Sequence, residues 1–261
     1  MKTLRPLFFF SSILLIVGLA CSVLGGGNTP AQTEQPQQPV EQPTQPPAPT
    51  EVPPTAEPVV TEAPATKEPE ANALEFFKEE FDSSKALDNW DYFALGTGTD
   101  DDLVIEQEDD HVLFDLNDED LYVYYMYLPY EYEDVSVTLN AENRGRNNNN
   151  VSLICRMNSD GTNWYEFSVE SGGLWYLYAM DGKYNIIANG GTNSLKQGKE
   201  VNEYQLVCEG NEITMHINGD EVKTVTDNAY SFGEGLVGFN ISSLNVLPIT
   251  VEVNSFEVSE P

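Results

Sequence analysis

Six side chains within residues 151–180 combine into one kind of chemistry. Trp164, Glu166 and Ser168 alternate along VSLICRMNSDGTNWYEFSVESGGLWYLYAM, Tyr176 and Tyr178 alternate a few residues later, and Arg156 lies upstream. Flat aromatic rings interleaved with a cation, a carboxylate and hydroxyls suit a ligand with an apolar face and a polar rim. A pyranose is such a ligand: its C–H face stacks on a ring, and its hydroxyls need paired donors and acceptors. The competing reading, that these rings cover strand edges or pack under loops, stays open.

Other reactive arrangements are weak. Glu133, Glu166 and Glu170 could be brought together only by folding, and Glu166 is expected to offset the charge of Arg156 across a hairpin. The two histidines, His111 and His216, lack metal-ligand spacing. There is no Ser-His-Asp cue and no phosphate-binding loop, so no catalytic residue and no organic cofactor is expected. Oxygen ligands are abundant, which leaves room for a structural calcium at the acidic turns. However, Asp115-Leu116-Asn117-Asp118-Glu119-Asp120 lacks the glycine of an EF-hand loop.

The elements that position the six follow from turn chemistry. Ser159-Asp160-Gly161-Thr162 and Ser171-Gly172-Gly173 divide the stretch into three strands. With a three-residue second loop, Val169 faces Trp175, Phe167 faces Leu177, and Tyr165 faces Ala179. An even register in the first hairpin then gives one face Val151, Leu153, Cys155, Tyr165, Phe167, Val169, Trp175 and Leu177. The other face receives Ser152, Ile154, Arg156, Trp164, Glu166, Ser168, Tyr176 and Tyr178, and is expected to be wetted. A one-residue slip would exchange the faces.

The pattern repeats along the chain. Leu103–Glu106, His111–Asp115, the tyrosine-rich Leu121–Leu128, Val135–Asn140, a meander over 203–225, Val237–Asn240 and Ile249–Val258 read as short strands between turns. No amphipathic helix interrupts them. Ten or more short strands with one packed and one wetted face predict an all-β sandwich, its terminal strands pairing to close it.

Composition bounds the partners and the address. The chain has 261 residues and a formal charge of −31, which excludes nucleic acid and disfavours anionic lipid surfaces. Residues 1–20 combine Lys2 and Arg5 with an apolar run, as a signal peptide does. All sixteen prolines except Pro6, Pro129, Pro248 and Pro261 lie within 28–72, so residues 21–72 are expected to be a disordered linker. The domain is expected to span 73–261. An exported chain sees a thiol-poor environment, so Cys155 and Cys208, both on core-facing positions, are expected to form a structural disulfide; two buried free thiols are the alternative.

Two resemblances sharpen this reading. Leu19-Ala20-Cys21 resembles the lipobox of bacterial lipoproteins, with Gly18 in place of the usual aliphatic residue; this implies lipidation of Cys21 and an extracytoplasmic, membrane-anchored position. Phe81-Asp82 with Trp90, Cys155-Arg156, Asn163-Trp164-Tyr165, Cys208-Glu209-Gly210, Ile217-Asn218-Gly219, Gly235-Leu236-Val237-Gly238 and Phe256 resemble, in order and spacing over residues 75–260, the concanavalin A-like lectin/glucanase group. They look most like its 3-keto-disaccharide hydrolase-type domain of unknown function. The resemblance implies a jelly roll of two curved antiparallel sheets whose concave face often holds carbohydrate. Val253-Asn254-Ser255-Phe256 lacks the acid usual at that place. Retaining glycosidases of this fold resemble one another in Glu-x-Asp-x-Glu or Glu-x-Asp-x-x-Glu; Glu80–Asp82 and Glu108–Asp110 lack the following glutamate. The expectation is therefore a surface lipoprotein that recognises a glycan without catalysis. The alternatives are a glycoside hydrolase with an unrecognised carboxylate pair, and a protein-binding or structural envelope domain.

Overall fold

A computed structural model describes residues 74–101 and 103–261. The expected signal peptide, the expected lipidation site at Cys21 and the expected linker lie outside the described residues. Fifteen strands follow one another: β1 Phe77–Glu79, β2 Trp90–Gly96, β3 Val104–Glu108, β4 His111–Leu116, β5 Leu121–Tyr132, β6 Val135–Asn143, β7 Asn149–Met157, β8 Asn163–Glu170, β9 Leu174–Asp181, β10 Tyr184–Gly191, β11 Val201–Glu209, β12 Glu212–Ile217, β13 Asp220–Thr226, β14 Gly235–Ser243 and β15 Ile249–Ser259. No helix is present among the described residues.

The strands form two antiparallel sheets packed face to face. One runs β13-β12-β11-β6-β15-β4-β3, with β1 on β15; the other runs β10-β9-β8-β7-β14-β5-β2. The pairing of β1 with β15 closes the domain as expected, with Phe77 opposite Val258. The predicted hairpin register holds: Val169 faces Trp175, Phe167 faces Leu177 and Tyr165 faces Ala179. The first hairpin pairs Asn150 with Glu170 and Cys155 with Tyr165, an even register. Gly173, at φ +89°, supplies the left-handed turn between β8 and β9.

Alternation then builds the core. Val151, Leu153, Cys155, Tyr165, Phe167, Val169, Trp175 and Leu177 all belong to the main hydrophobic cluster between the sheets. They meet Val135, Val137, Leu139, Leu206, Ile213 and Met215 from the facing sheet. The Cys155–Cys208 disulfide joins β7 to β11 and so links the two sheets through that core. It closes a loop over a sequence separation of 53, for which chain entropy predicts about 4 kcal/mol of stabilisation.

One expectation requires correction. The outer face of the seven-stranded sheet is not wetted over its whole length. Trp164 is fully buried, and Ser168, Glu166 and Arg156 are nearly so. A second, smaller cluster of Tyr124, Met126, Ile154, Met157 and Trp164 fills one end of that face. The physical reason is curvature. Tyr184 on β10 and Tyr124 on β5 are five strand steps apart, about 24 Å across a flat sheet, yet their hydroxyls meet. The sheet curls until side chains from its two flanks close over the middle.

Candidate functional site

Small residues line the middle of this concave face and tyrosines line its flanks. The cross-strand row Phe93–Tyr124–Asn240–Ser152–Ser168–Tyr176–Asn189 runs over β2, β5, β14, β7, β8, β9 and β10. The next row carries Tyr122, Ser242, Asn150 and Glu170. Side chains of this size make a trough floored by hydroxyls and amides, with phenol walls from β5 on one side and from β9 and β10 on the other.

The trough has a closed end and an open end. At the closed end, Trp164 Nε1 and the Tyr124 hydroxyl donate to the same oxygen of Glu166 at 3.1 and 3.0 Å. Phe93 stacks on Tyr124 with centroids 4.9 Å apart, and Tyr124 meets Trp164 edge-on at 5.4 Å. Burial pushes the Glu166 carboxyl up, against the hydrogen bonds from Trp164 and Tyr124. Burial likewise drives the Tyr124 phenol well above its ordinary value, with the Glu166 charge adding to it. This end is packed, and Trp164 is not a stacking platform.

The open end retains Tyr176, while Tyr178 stands on the neighbouring row opposite Glu166. Tyr176 and Tyr178 stack on each other at 5.6 Å and are both half-buried. Tyr178 meets Tyr184 edge-on at 5.2 Å, and Tyr184 lies 6.5 Å from Tyr122. Burial and then the Glu166 charge push the Tyr178 phenol up to about 12. Burial and the Asp120 carboxylate do the same for Tyr122. Tyr176 is raised by burial and by the adjacent Glu170 carboxylate. Beneath these rings, Asn240 Oδ1 and Nδ2, Ser242 Oγ and Asn150 Oδ1 are buried with no hydrogen-bond partner. Buried amides and hydroxyls are nearly always paired, so these four atoms mark a place where polar partners belong.

Arg156 is not part of this trough. A β-bulge shifts the register between β7 and β14, so that Leu236 faces Met157 while Gly238 faces Ile154. Arg156 sits in the bulge at φ +55°. Its guanidinium donates to the Glu133 carbonyl at 2.7 Å, the Phe232 carbonyl at 3.2 Å and Asp134 at 3.3 Å. It therefore does not offset Glu166. The tyrosines of Leu121–Leu128, read from the sequence as candidates to extend this face, supply Tyr122 and Tyr124, whereas sequence reasoning missed Tyr184 and Asn240.

Glu133, Glu166 and Glu170 do not form a hydrolytic pair by strand geometry. Glu166 and Glu170 lie four residues apart on β8, about 14 Å along the strand, where glycoside hydrolysis uses separations of about 5 Å or about 6.5–9.5 Å. Glu133 is exposed beyond the end of β5. In the acidic turns, Asp118 accepts from the Thr99 amide and Asp120 from the Thr97 hydroxyl. Among the described residues, no group of three His, Cys, Asp or Glu is placed to hold a metal ion.

The fold has many structural relatives. No protein-family model and no curated protein matches the chain. A Bacillus subtilis protein of unknown function with a galectin-like fold superimposes with a TM-score of 0.57 at 14% identity, over 70% of this chain and 94% of that one. A Bacillus licheniformis β-glucanase gives 0.52 at 12% identity, over 71% and 98%. The catalytic domain of a Thermotoga petrophila endo-1,3-β-glucanase (laminarinase) gives 0.51 at 10% identity, over 70% and 96%. At these identities the likeness establishes the fold: the domain is a galectin-like, concanavalin A-like jelly roll.

Proposed function

We propose that this domain recognises a glycan, without catalysis, at the open end of its concave face. The observation that carries the reading is the set of unpartnered buried polar atoms of Asn240, Ser242 and Asn150, on the two rows that carry Tyr122 on β5 and Tyr176 on β9. Asn240 and Ser242 are fully buried, so a sugar reaches them when the tyrosines over them part. Its hydroxyls, donors and acceptors at once, would then satisfy such a floor, while the phenol rings offer apolar edges for the ring C–H groups. The named relatives include glucanases, whose activity belongs to those proteins but whose fold this domain shares. A Cys21 lipid anchor and the proline-rich linker would give this domain a tether on the outer surface of the cell membrane.

Affinity electrophoresis of the chain through gels carrying soluble neutral polysaccharides tests this. Retardation by at least one polymer is expected, together with its loss in Tyr176→Ala and in Asn240→Leu. A chain that migrates freely in every gel, or retardation that survives both substitutions, would overturn the assignment.

A further inference from the structure

The same tyrosines carry a charge pattern that the glycan reading does not use. The seven strands of the concave sheet contain a single basic residue, Arg156, and the bulge turns it away from the trough. Glu166 and Glu170 stand on its outer face, and Asp120 lies beside Tyr122. The strands of the trough thus carry carboxylates and no cation aimed at them; Lys183 lies outside the strands, in the β9–β10 turn. Over the carboxylates, rings from three strands converge: Tyr178 and Tyr184 at 5.2 Å and 70°, Tyr184 and Tyr122 at 6.5 Å and 40°, and Tyr176 stacked behind Tyr178. Tyr184 is 39% exposed, so the junction opens to solvent.

Phenol faces are negative by virtue of their quadrupole, and a cation within about 6 Å of a ring centroid is attracted to it. Rings set at steep angles let one cation touch more than one face. Carboxylates behind the rings deepen the negative potential, and a chain of net charge −31 draws cations toward it from a distance. A compact, strongly hydrated metal ion would want several oxygen ligands, whereas a poorly hydrated alkylammonium group wants aromatic faces. We propose that the junction of Tyr122, Tyr178 and Tyr184 is a binding site for an organic ammonium group. That group belongs either to a free quaternary amine or to an amino sugar of a glycan. The proposal uses the same face as the glycan reading but stands without it.

The test is titration calorimetry on the full chain in a polyoxyethylene detergent, which carries neither sugar nor ammonium groups. Choline chloride is the probe, with 3,3-dimethylbutan-1-ol as its uncharged isostere and sodium chloride as the ionic-strength match. Saturable choline binding, about tenfold or more tighter than the isostere, is expected. Tyr178→Ala should abolish it, and Glu170→Gln should weaken it several-fold. Tyr178→Phe, which keeps the ring and the packing, should bind within about twofold of the parent chain. Competition by glucosamine but not by N-acetylglucosamine assigns the ammonium to a glycan; its failure to compete assigns the site to a free amine. Equal affinity for choline and the isostere, or heats no different from those of sodium chloride, would overturn the proposal. Either result leaves the neutral-polysaccharide test intact, so the two readings fail separately.

Discussion

Glu166 condenses the problem of this face into one residue. Its alternation with Trp164 and Ser168 looked like the polar element of an exposed site, yet it is 3% exposed and receives hydrogen bonds from Trp164 and Tyr124. A glutamate in an unfolded chain titrates near about 4.3, and burial raises the folded value. The native state therefore holds the proton more tightly than the unfolded one. Its contribution to stability is complete below the unfolded value and is lost as pH rises through the folded value, at up to about 1.4 kcal/mol per pH unit. Glu166→Gln keeps an acceptor for both donors and removes the titration. Relative to the parent chain, its Tm is expected to gain as pH rises from 5, above the isoelectric point of about 4.1, toward 8, and to level off once the folded value has been passed. Thermal melts across that range decide the matter; a gain that shrinks with pH would mean that the anion itself is stabilised in place.

At the scale of the element, the β7 bulge determines which residues reach the trough. One extra residue opposite β14 re-aims Arg156 and returns Met157 to the face occupied by Ile154 and Trp164. Arg156→Ala would strand the carbonyls of Glu133 and Phe232 while keeping a side chain at positive φ, so denaturant unfolding should show a loss of about 2–3 kcal/mol. Arg156→Gly loses the same bonds but tolerates the left-handed backbone, and should be less destabilised by about 1 kcal/mol. Equal losses would show that the bulge conformation carries no strain to relieve. The bulge also marks where the sequence stops being readable. The β8–β9 register, the parity of β7–β8 and the core face were all legible, because Gly-centred turns and period-two alternation are local signals. The burial of Trp164 and Glu166 was not. It depends on Tyr124 and Tyr184, respectively 40 residues upstream of Trp164 and 20 downstream, meeting over a curved sheet. Alternation distinguishes two faces of a strand but is silent on which distant side chain covers them. Arg156 was misplaced for a related reason, since nothing in Ile154-Cys155-Arg156-Met157 announces a bulge.

For the molecule as a whole, charge is the dominant unbalanced quantity. Forty-three acidic residues face twelve basic ones. The described ion pairs are few: Lys78 with Glu80, Arg144 with Glu142 and Glu252, Arg156 with Asp134, and the histidine contacts of His111. Surface pairs of this kind contribute about 0–1 kcal/mol each, while the remaining carboxylates repel one another over the whole surface. Such self-repulsion keeps a protein soluble but works against compactness. Screening should therefore stabilise this fold. With a Debye length of about 30 Å at 0.01 M and about 10 Å at 0.1 M, most of the repulsion is removed between those concentrations. Tm is expected to rise by a few degrees from 10 to 150 mM sodium chloride and then to level off. Sodium sulfate at equal ionic strength should add a further rise only at high concentration, where exclusion from the surface takes over. A Tm that falls over the first interval would mean that the few ion pairs, and the Arg144–Glu252–His111 group in particular, outweigh the repulsion. The same field bears on the trough. It repels anionic polymers and the anionic lipid surface to which the proposed tether would bring the domain, so the concave face is left for neutral or cationic ligands arriving from solution.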